Sequence, residues 1–521
     1  MNTFTNHSPS YSMRHAGFWK MLLLVLSSIT AVVACYLVMQ PPQLHADWST
    51  EVSVVSLVYL GTFFVFSLLL FKTPYLFTGV YLLALSLFHL GITVPESLGL
   101  LQTVPESSGL IQVGNWRSGS LVKWLEQAGW YTVLALACIG IGFSLSVTPS
   151  RLRQMHQPVD PERKNQTLSL AFQDGIGLLL ASGVMLALAI ASFGNLLSYS
   201  RVDFFRGTGD TRGLGVFLMT FPSAVALVMI GARTRFQQIF AWLLFLFGFA
   251  LIMLSGYRAS ALYPMLIGAA VWVKVGRRIP MVYATVAGLI LVMAISAIGI
   301  LRAYKYQEMD AKKLEHSVES SRVEDTFVTL GQTGGLLAHV LRLVPHTDPF
   351  RYGWTYVQYV QASIPNITGS INKSDRSIAL RDSRTDPKAI ARTPPSDWLT
   401  YRILPEKFAV GEGVGFTGIG EPYLNFGLPG VVIFFLALGY LLGRLDQINL
   451  LEHPAMLVFA TAILWRLIQT VRDDFGNFIK PMVFIYIIFM LWRVVLRILG
   501  NFSAAPPQVP QLQPLEQGKQ R

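Results

Sequence analysis

An all-α protein that threads a membrane many times is what this chain predicts, on three observations. Of its 521 residues, 52% are hydrophobic and only 13% charged, where a soluble domain carries about 25% charged residues. Whole windows of roughly 20 residues lack a charge, which is enough for a helix to cross a hydrocarbon core of about 30 Å. Inside hydrocarbon every backbone group must be paired, so only helices or a closed barrel can span. The apolar runs do not alternate with polar residues, and that selects helices.

Taken in order, spans are expected at Phe18–Met39, Val52–Phe71, Tyr75–Val94, Gly129–Val147, Gln173–Leu197 and Leu214–Ala232. Further spans follow at Ile239–Ser255, Ala259–Val273, Met281–Leu301, Leu428–Leu445, Pro454–Val471 and Phe478–Val495, about twelve in all. The first, preceded by Arg14 and Lys20, lacks a small-residue cleavage site and is long enough to cross, so it reads as an anchor and not a removed signal. With the N-terminus inside, the short inner loops collect Lys72, Arg151, Arg153, Arg163, Lys164, Arg233, Arg235, Lys274, Arg277, Arg278 and Arg444. That is the bias expected of cytoplasmic loops, and it places both termini in the cytoplasm.

The expected organisation is therefore transmembrane helices 1–9 over residues 1–302 and a large extracytoplasmic loop domain over 303–427, between helices 9 and 10. Helices 10–12 follow over 428–500, then a disordered Pro- and Gln-rich cytoplasmic tail over 501–521. The net charge of +12 would suggest nucleic acid in a soluble protein; here topology accounts for much of it, and no nucleic-acid partner is expected. Cys35 and Cys138 lie within apolar spans and read as small buried hydrophobes. No His/Cys/Asp cluster has metal-ligand spacing, and no Walker loop or dinucleotide fingerprint occurs, so no metal or cofactor is expected.

The informative charges are those topology does not favour. The short outer loop at Ser200–Gly213 carries Arg201, Arg206 and Arg212. Arg258 sits at the seam between helices seven and eight, Arg302 at the outer end of helix nine, and Arg472 with Asp473 and Asp474 beyond helix eleven. Arg351 and Arg402 lie in the large loop beside Tyr352, Trp354, Trp398 and Tyr401. Guanidinium forks match phosphate oxygens bidentately, so arginines converging on one face suit a diphosphate headgroup whose lipid tail stays in the bilayer. Any one of them could instead be an interfacial residue that snorkels. Arg466, inside helix eleven, is an intramembrane ion and hence a candidate in its own right.

The stretch Gly418-Ile-Gly-Glu-Pro-Tyr-Leu-Asn-Phe-Gly-Leu-Pro-Gly430 puts a carboxylate, Glu421, at the mouth of an apolar segment. Its competing role is to favour a helix N-terminus. Glu421 is the first choice of general base, with His346 and Asp474 behind it. A solvated loop histidine is the plainer account of His346, and pairing with Arg472 that of the two aspartates.

These residues also carry a resemblance. Ser255-Gly-Tyr-Arg258-Ala-Ser resembles the S-G-S-R-G signature of the Wzy-type O-antigen polymerases and related oligosaccharide repeat-unit polymerases. Phe350-Arg-Tyr-Gly-Trp-Thr-Tyr followed by Ile364-Pro365 is similar to their Y-G-x-S/T-Y preceding I-P. Gly420-Glu-Pro-Tyr-Leu-Asn-Phe-Gly resembles their E-A-Y-x-N-F-G, and Arg472-Asp-Asp-Phe their R-G-D-F. The motifs occur in family order over residues 256–475, with departures at Tyr257, Asn366 and Asp473.

The resemblance implies a GT-C-like membrane glycosyltransferase with its active site on the outer face of a bacterial inner membrane. Such an enzyme joins undecaprenyl-diphosphate-linked oligosaccharide repeat units into O-antigen, capsule or exopolysaccharide, inverting and without a metal. Arg258 and Arg472 would then hold the donor diphosphate, supported by Arg206, Arg302, Arg351 and Arg402. Tyr423, Asn425 and Tyr352 would position substrate. A flippase and a chain-length regulator of the same pathway are the implied partners. The alternatives are an O-antigen ligase, which places a histidine late in the large loop where this chain has His346 early, and a lipid-linked oligosaccharide flippase.

Overall fold

The computed structural model describes residues 13–43, 45–99, 121–155, 157–193, 212–254, 258–277, 279, 282, 323–363, 390, 393–409 and 413–503. These residues form helices and no strand. The first group comprises α1 (Met13–Met39), α2 (Trp48–Phe71), α3 (Phe77–Leu90), α4 (Thr93–Ser97), α5 (Val122–Ser146), α6 (Pro149–Met155) and α7 (Pro161–Phe193). Next come α8 (Arg212–Gly231), α9 (Arg235–Leu254), α10 (Arg258–Lys274), α11 (Val323–Leu343) and α12 (Trp354–Ser363). The chain ends with α13 (Pro395–Ile403), α14 (Pro405–Ala409), α15 (Gly420–Asp446), α16 (Pro454–Ala462), α17 (Leu464–Gln469) and α18 (Gly476–Ser503).

Six of these helices are long and apolar enough to cross a membrane, those within α1, α2, α5, α7, α15 and α18. Shorter apolar helices cover Phe77–Leu90, Thr220–Gly231, Arg235–Phe249 and Pro454–Gln469. The expected span at Met281–Leu301 falls outside the described residues. The span expected at Pro454–Val471 is two helices, interrupted at Ile463. Large apolar side chains such as Val32, Leu57, Leu243, Leu246 and Leu491 remain exposed on the bundle's outside, a surface suited to lipid and not to water.

The bundle is built around α5, most of which is buried. The transmembrane part of α15 crosses it at close range, because glycines face each other. A Cβ on Gly142 would overlap the Leu436 carbonyl, and one on Gly439 would overlap that of Ile139. Small residues at such crossings let backbones approach where no hydrophobic drive separates protein from lipid. This contact fixes the depth of α15 and hence of everything at its start.

The other end of α15 is locked by a buried carboxylate. Asp446 accepts hydrogen bonds from the Phe77 and Thr78 amides (2.8 and 3.1 Å) and from the Thr78 hydroxyl (2.6 Å). It thereby caps the N-terminus of α3, where negative charge is favoured. Lys274, at the end of α10, lies 3.8 Å from that carboxylate and donates to the Asp446 carbonyl at 2.6 Å. Asp446→Ala strands a buried ammonium and three donors, so it should cost about 3–5 kcal/mol. Thermal unfolding of purified protein in detergent checks this; an unchanged Tm would refute the capping role.

The stretch expected as an outer loop domain begins its described part with a helix of the main core. Leu330, Leu337, Ala338 and Leu341 of α11 pack with α3 and α5 in the principal apolar cluster. The far side of α11 (Leu336 and Val340), with Val344 just beyond its end, carries a second, smaller core with Ile390, Trp398, Leu399, Phe408, Phe416 and Leu424. The described loop residues are thus not suspended above the bundle but seated on it.

Candidate active site

Glu421 lies in the first turn of α15 and is only 3% exposed. One oxygen accepts the Thr355 hydroxyl (2.9 Å), the other the Phe475 amide (2.8 Å). The carboxylate therefore ties together α15, α12 and the turn before α18. Asn425, one helical turn later, donates to Thr355 Oγ1 (2.7 Å) and to the Glu421 carbonyl (2.9 Å), and accepts the Gly353 amide (2.9 Å). Glu421, Thr355, Phe475, Asn425 and Gly353 are thus held by one short network.

A break in α15 makes this possible. Gly427 has φ 64° and ψ −151°, a region open essentially to glycine, and Pro429 has no N–H to give. The carbonyls of Leu424 and Asn425 consequently lose their helical donors. The amides of Arg351 and Tyr352 take their place, at 2.9 and 3.0 Å. Tyr352 reaches this position with φ 47°, unusual for a residue with a side chain. The helix start carrying Glu421 is thus a separate piece, angled away from the transmembrane rod and pinned by the 351–353 turn.

A narrow cleft opens on Glu421, with walls from Tyr356, Pro422, Phe434, Thr470, Asp473 and Phe475 and a cavity volume of only about 10 Å³. Two carboxylates, Glu421 and Asp473, face it. Asp474 stands behind, 5% exposed, accepting the Ser396 hydroxyl at 2.8 Å. Burial holds the Asp474 carboxyl well above the usual carboxylate range, with the charges of Asp473 and Glu421 adding to the effect. Its folded form favours the proton, so the stability it contributes is full below its unfolded pKa of about 4 and is lost as pH rises towards its raised folded value. Asp474→Asn should accordingly raise Tm at pH 8 and leave it unchanged, or slightly lower, at the acid end. Equal shifts at both pH values would show that Asp474 is not proton-linked.

The arginines fall into distinct groups. The Arg351 Nη1 donates to the Thr393 carbonyl (2.8 Å) and its guanidinium lies 5.3 Å from the Trp398 ring centroid. Its Nη2 is buried without a hydrogen-bond partner among the described residues. Burial pushes this group down to about 10, which leaves it a cation at neutral pH. Arg472 stands over the Phe88 ring at 5.9 Å, and its side chain makes no hydrogen bond or ion pair among the described residues. Phe88 also meets Tyr263 of α10, centroids 5.9 Å apart, five residues along from Arg258. Arg258 itself begins α10; its side chain lies outside the described residues, as do Arg206 and Arg302.

Three of the expected site residues have partners or positions of their own in the structure. Arg402 is engaged by Asp348, which also accepts the Trp398 indole N–H at 3.2 Å; it braces the small core. Asn425 is fully buried, with both ends of its amide bonded to Thr355, Gly353 and the Glu421 carbonyl. His346 is exposed on the 344–350 turn with its ring against Trp124, 5.6 Å between centroids, and no described contact joins it to the Glu421 network. Tyr423 donates to the Val344 carbonyl at 3.2 Å and packs edge-on against Tyr131. Tyr352 meets the Phe350 ring edge-on, 6.4 Å between centroids, yet at 77% exposed it is the most open of the three positioning candidates.

Sequence reasoning missed Thr355 as a partner of Glu421, and Asp473 as a wall of the cleft. It also missed His89, buried in α3, whose Nε2 pairs with the Thr417 hydroxyl at 2.8 Å four residues before Glu421. With Nδ1 donating to the Leu85 carbonyl (3.0 Å), the network assigns Nε2 as the acceptor.

This arrangement sits within a match to a known family. The family model described as O-antigen polysaccharide polymerase Wzy matches residues 18–500. The chain belongs to that family. It is thereby a multi-pass membrane protein with a polysaccharide polymerase role, and the Wzy match takes in both the Glu421 network and the surrounding bundle. No curated protein and no solved structure matches the chain.

Proposed function

We propose that this Wzy-family protein joins lipid-linked oligosaccharide repeat units by direct glycosyl transfer, with Glu421 as general base and arginines as the diphosphate-binding set. The observation that carries it is a buried carboxylate opening on a cleft at the start of a kinked helix, held by two donors and, among the described residues, by no hydrogen-bonded cation. A base must be fixed within reach of the acceptor hydroxyl, and the Thr355–Asn425–Gly353 network supplies that fixing.

The donor, a sugar on undecaprenyl diphosphate, already has a good leaving group. The enzyme needs preorganised cations where charge develops and a means of holding two lipid-linked chains in line. Arg472 has no side-chain hydrogen bond among the described residues, and Arg351 has an unused buried N–H, so both fit that task. Arg258, Arg206 and Arg302 extend the set by position in the chain, and Tyr352 offers a ring against which a sugar can stack. Attack by the acceptor hydroxyl on the anomeric carbon, with the lipid diphosphate leaving from the other side, inverts the centre. The site then faces outward, both termini lie in the cytoplasm, and the chain crosses the membrane about twelve times.

Deleting the gene and displaying surface glycan on a gel tests the class. A polymerase deletion leaves single repeat units attached to their acceptor, whereas loss of a ligase leaves no glycan attached. The second pattern would overturn the proposal.

A further inference from the structure

We infer that the cleft at the opposite end of the bundle binds the phosphate headgroup of an anionic phospholipid. This is independent of the polymerase chemistry and uses none of its residues. The cleft lies between α7, α8, α9 and α10 and has a cavity volume of about 410 Å³. Lys164, Arg233 and Arg277 line it together with Trp242, Trp272 and Gln238, and no acidic residue does.

Topological bias alone explains why cations gather at this end of the helices. It does not explain why three, from three separate segments, enclose one cavity with two tryptophans. Arg277 is built in. Its guanidinium lies 4.1 Å from the Trp272 ring centroid and donates to the carbonyls of Ala232 (2.8 Å) and Ile230 (3.3 Å), closing the end of α8. Arg233 is spread across to α7, donating to the Asn165 carbonyl at 3.2 Å, beside Lys164. The nearest acids in sequence, Asp160 and Glu162, are exposed on the start of α7 and do not line the cavity. Asp174, deeper on α7, is already paired with Arg493 at 2.9 Å. Among the described residues the cavity thus holds excess positive charge with no acidic residue in its lining.

The adjoining surface selects lipid over a free anion. Trp242 both lines the cleft and is 51% exposed, and along the same helix Ile239, Leu243, Leu246 and Phe247 are exposed too. An amphipathic tryptophan at the junction of a charged cavity and an apolar helix face is placed as it would be at a headgroup–acyl boundary. A phosphodiester seated among Lys164, Arg233 and Arg277 would leave its acyl chains along α9. Basic pockets between helix ends are known to take such headgroups.

The test uses the purified full-length protein in a neutral detergent, with Tm followed as lipid is added, since a ligand of the native state raises it. Phosphatidylglycerol or cardiolipin is expected to raise Tm, phosphatidylcholine and inorganic phosphate to leave it unchanged, and added salt to weaken the anionic-lipid effect. Lys164→Gln combined with Arg233→Gln removes two side chains that are at least partly exposed and leaves Arg277, which closes the end of α8, in place. The variant should therefore fold normally and lose at least half of the rise. Three results would each overturn the inference: an undiminished rise in the double variant, an equal rise with phosphatidylcholine, or an equal rise with inorganic phosphate.

Discussion

Glu421→Gln is expected to leave cells with single repeat units in place of long polymer, at normal protein level. A positioned base contributes about 10²–10⁴-fold, and glutamine cannot accept a proton from the acceptor hydroxyl. The fold should survive. Glutamine keeps one acceptor oxygen, so only one of the Thr355 and Phe475 donors is orphaned, a penalty of about 1–3 kcal/mol. Glu421→Asp should fail as well, because a side chain one methylene shorter cannot reach both donors from the same helix turn. The readout is polymer length on a gel, paired with turnover of lipid-linked repeat units by the purified variant. Full-length polymer from the glutamine variant would remove Glu421 from the chemistry.

Arg472→Ala should lower turnover by about 10²–10³-fold, the usual loss when one preorganised donor to a developing charge is removed. Its side chain contacts Phe88 through the ring face and carries no hydrogen bond among the described residues, so stability should change little. Arg472→Lys keeps the charge but not the planar fork, and partial recovery is expected. The distinguishing measurement is turnover against donor concentration. An alanine variant with wild-type turnover would show that Arg472 is an interfacial residue only.

Much of the architecture could be read from the residues because membrane constraints are local. A run of about 20 apolar residues must be a helix wherever it occurs, and the expected start of the tenth span at Leu428 falls at the break after Gly427. The rule weakens where the helix is short or interrupted. Ile463 divides the expected eleventh span, and α11 escaped notice as a core helix because a run holding Glu324, Asp325 and Gln332 scores as polar although its leucine face is buried.

The site was partly legible. Glu421 stood out because a carboxylate beside an apolar run is costly, and that holds whatever the fold. For Arg402 and Asn425, residue type and sequence neighbours do not reveal which partners a side chain already has. Asp348 claims Arg402 from a segment 54 residues away, and Thr355 and Gly353 claim Asn425 from 70 and 72.

By itself the sequence determined a helical membrane protein of the Wzy family and marked the turn that carries Glu421. The reason is that hydrocarbon filters each segment independently and short motifs sit within single segments. Tertiary structure alone decided that Glu421 and Asp473 share a cleft while Asp474 stands behind it, that Arg402 pairs with Asp348 and Asn425 with Thr355 and Gly353, and that α11 belongs to the core. Those outcomes depend on the close α5–α15 crossing and the Gly427 break, which bring residues 351–355, 421–425 and 470–475 together, and no window along the chain contains all three.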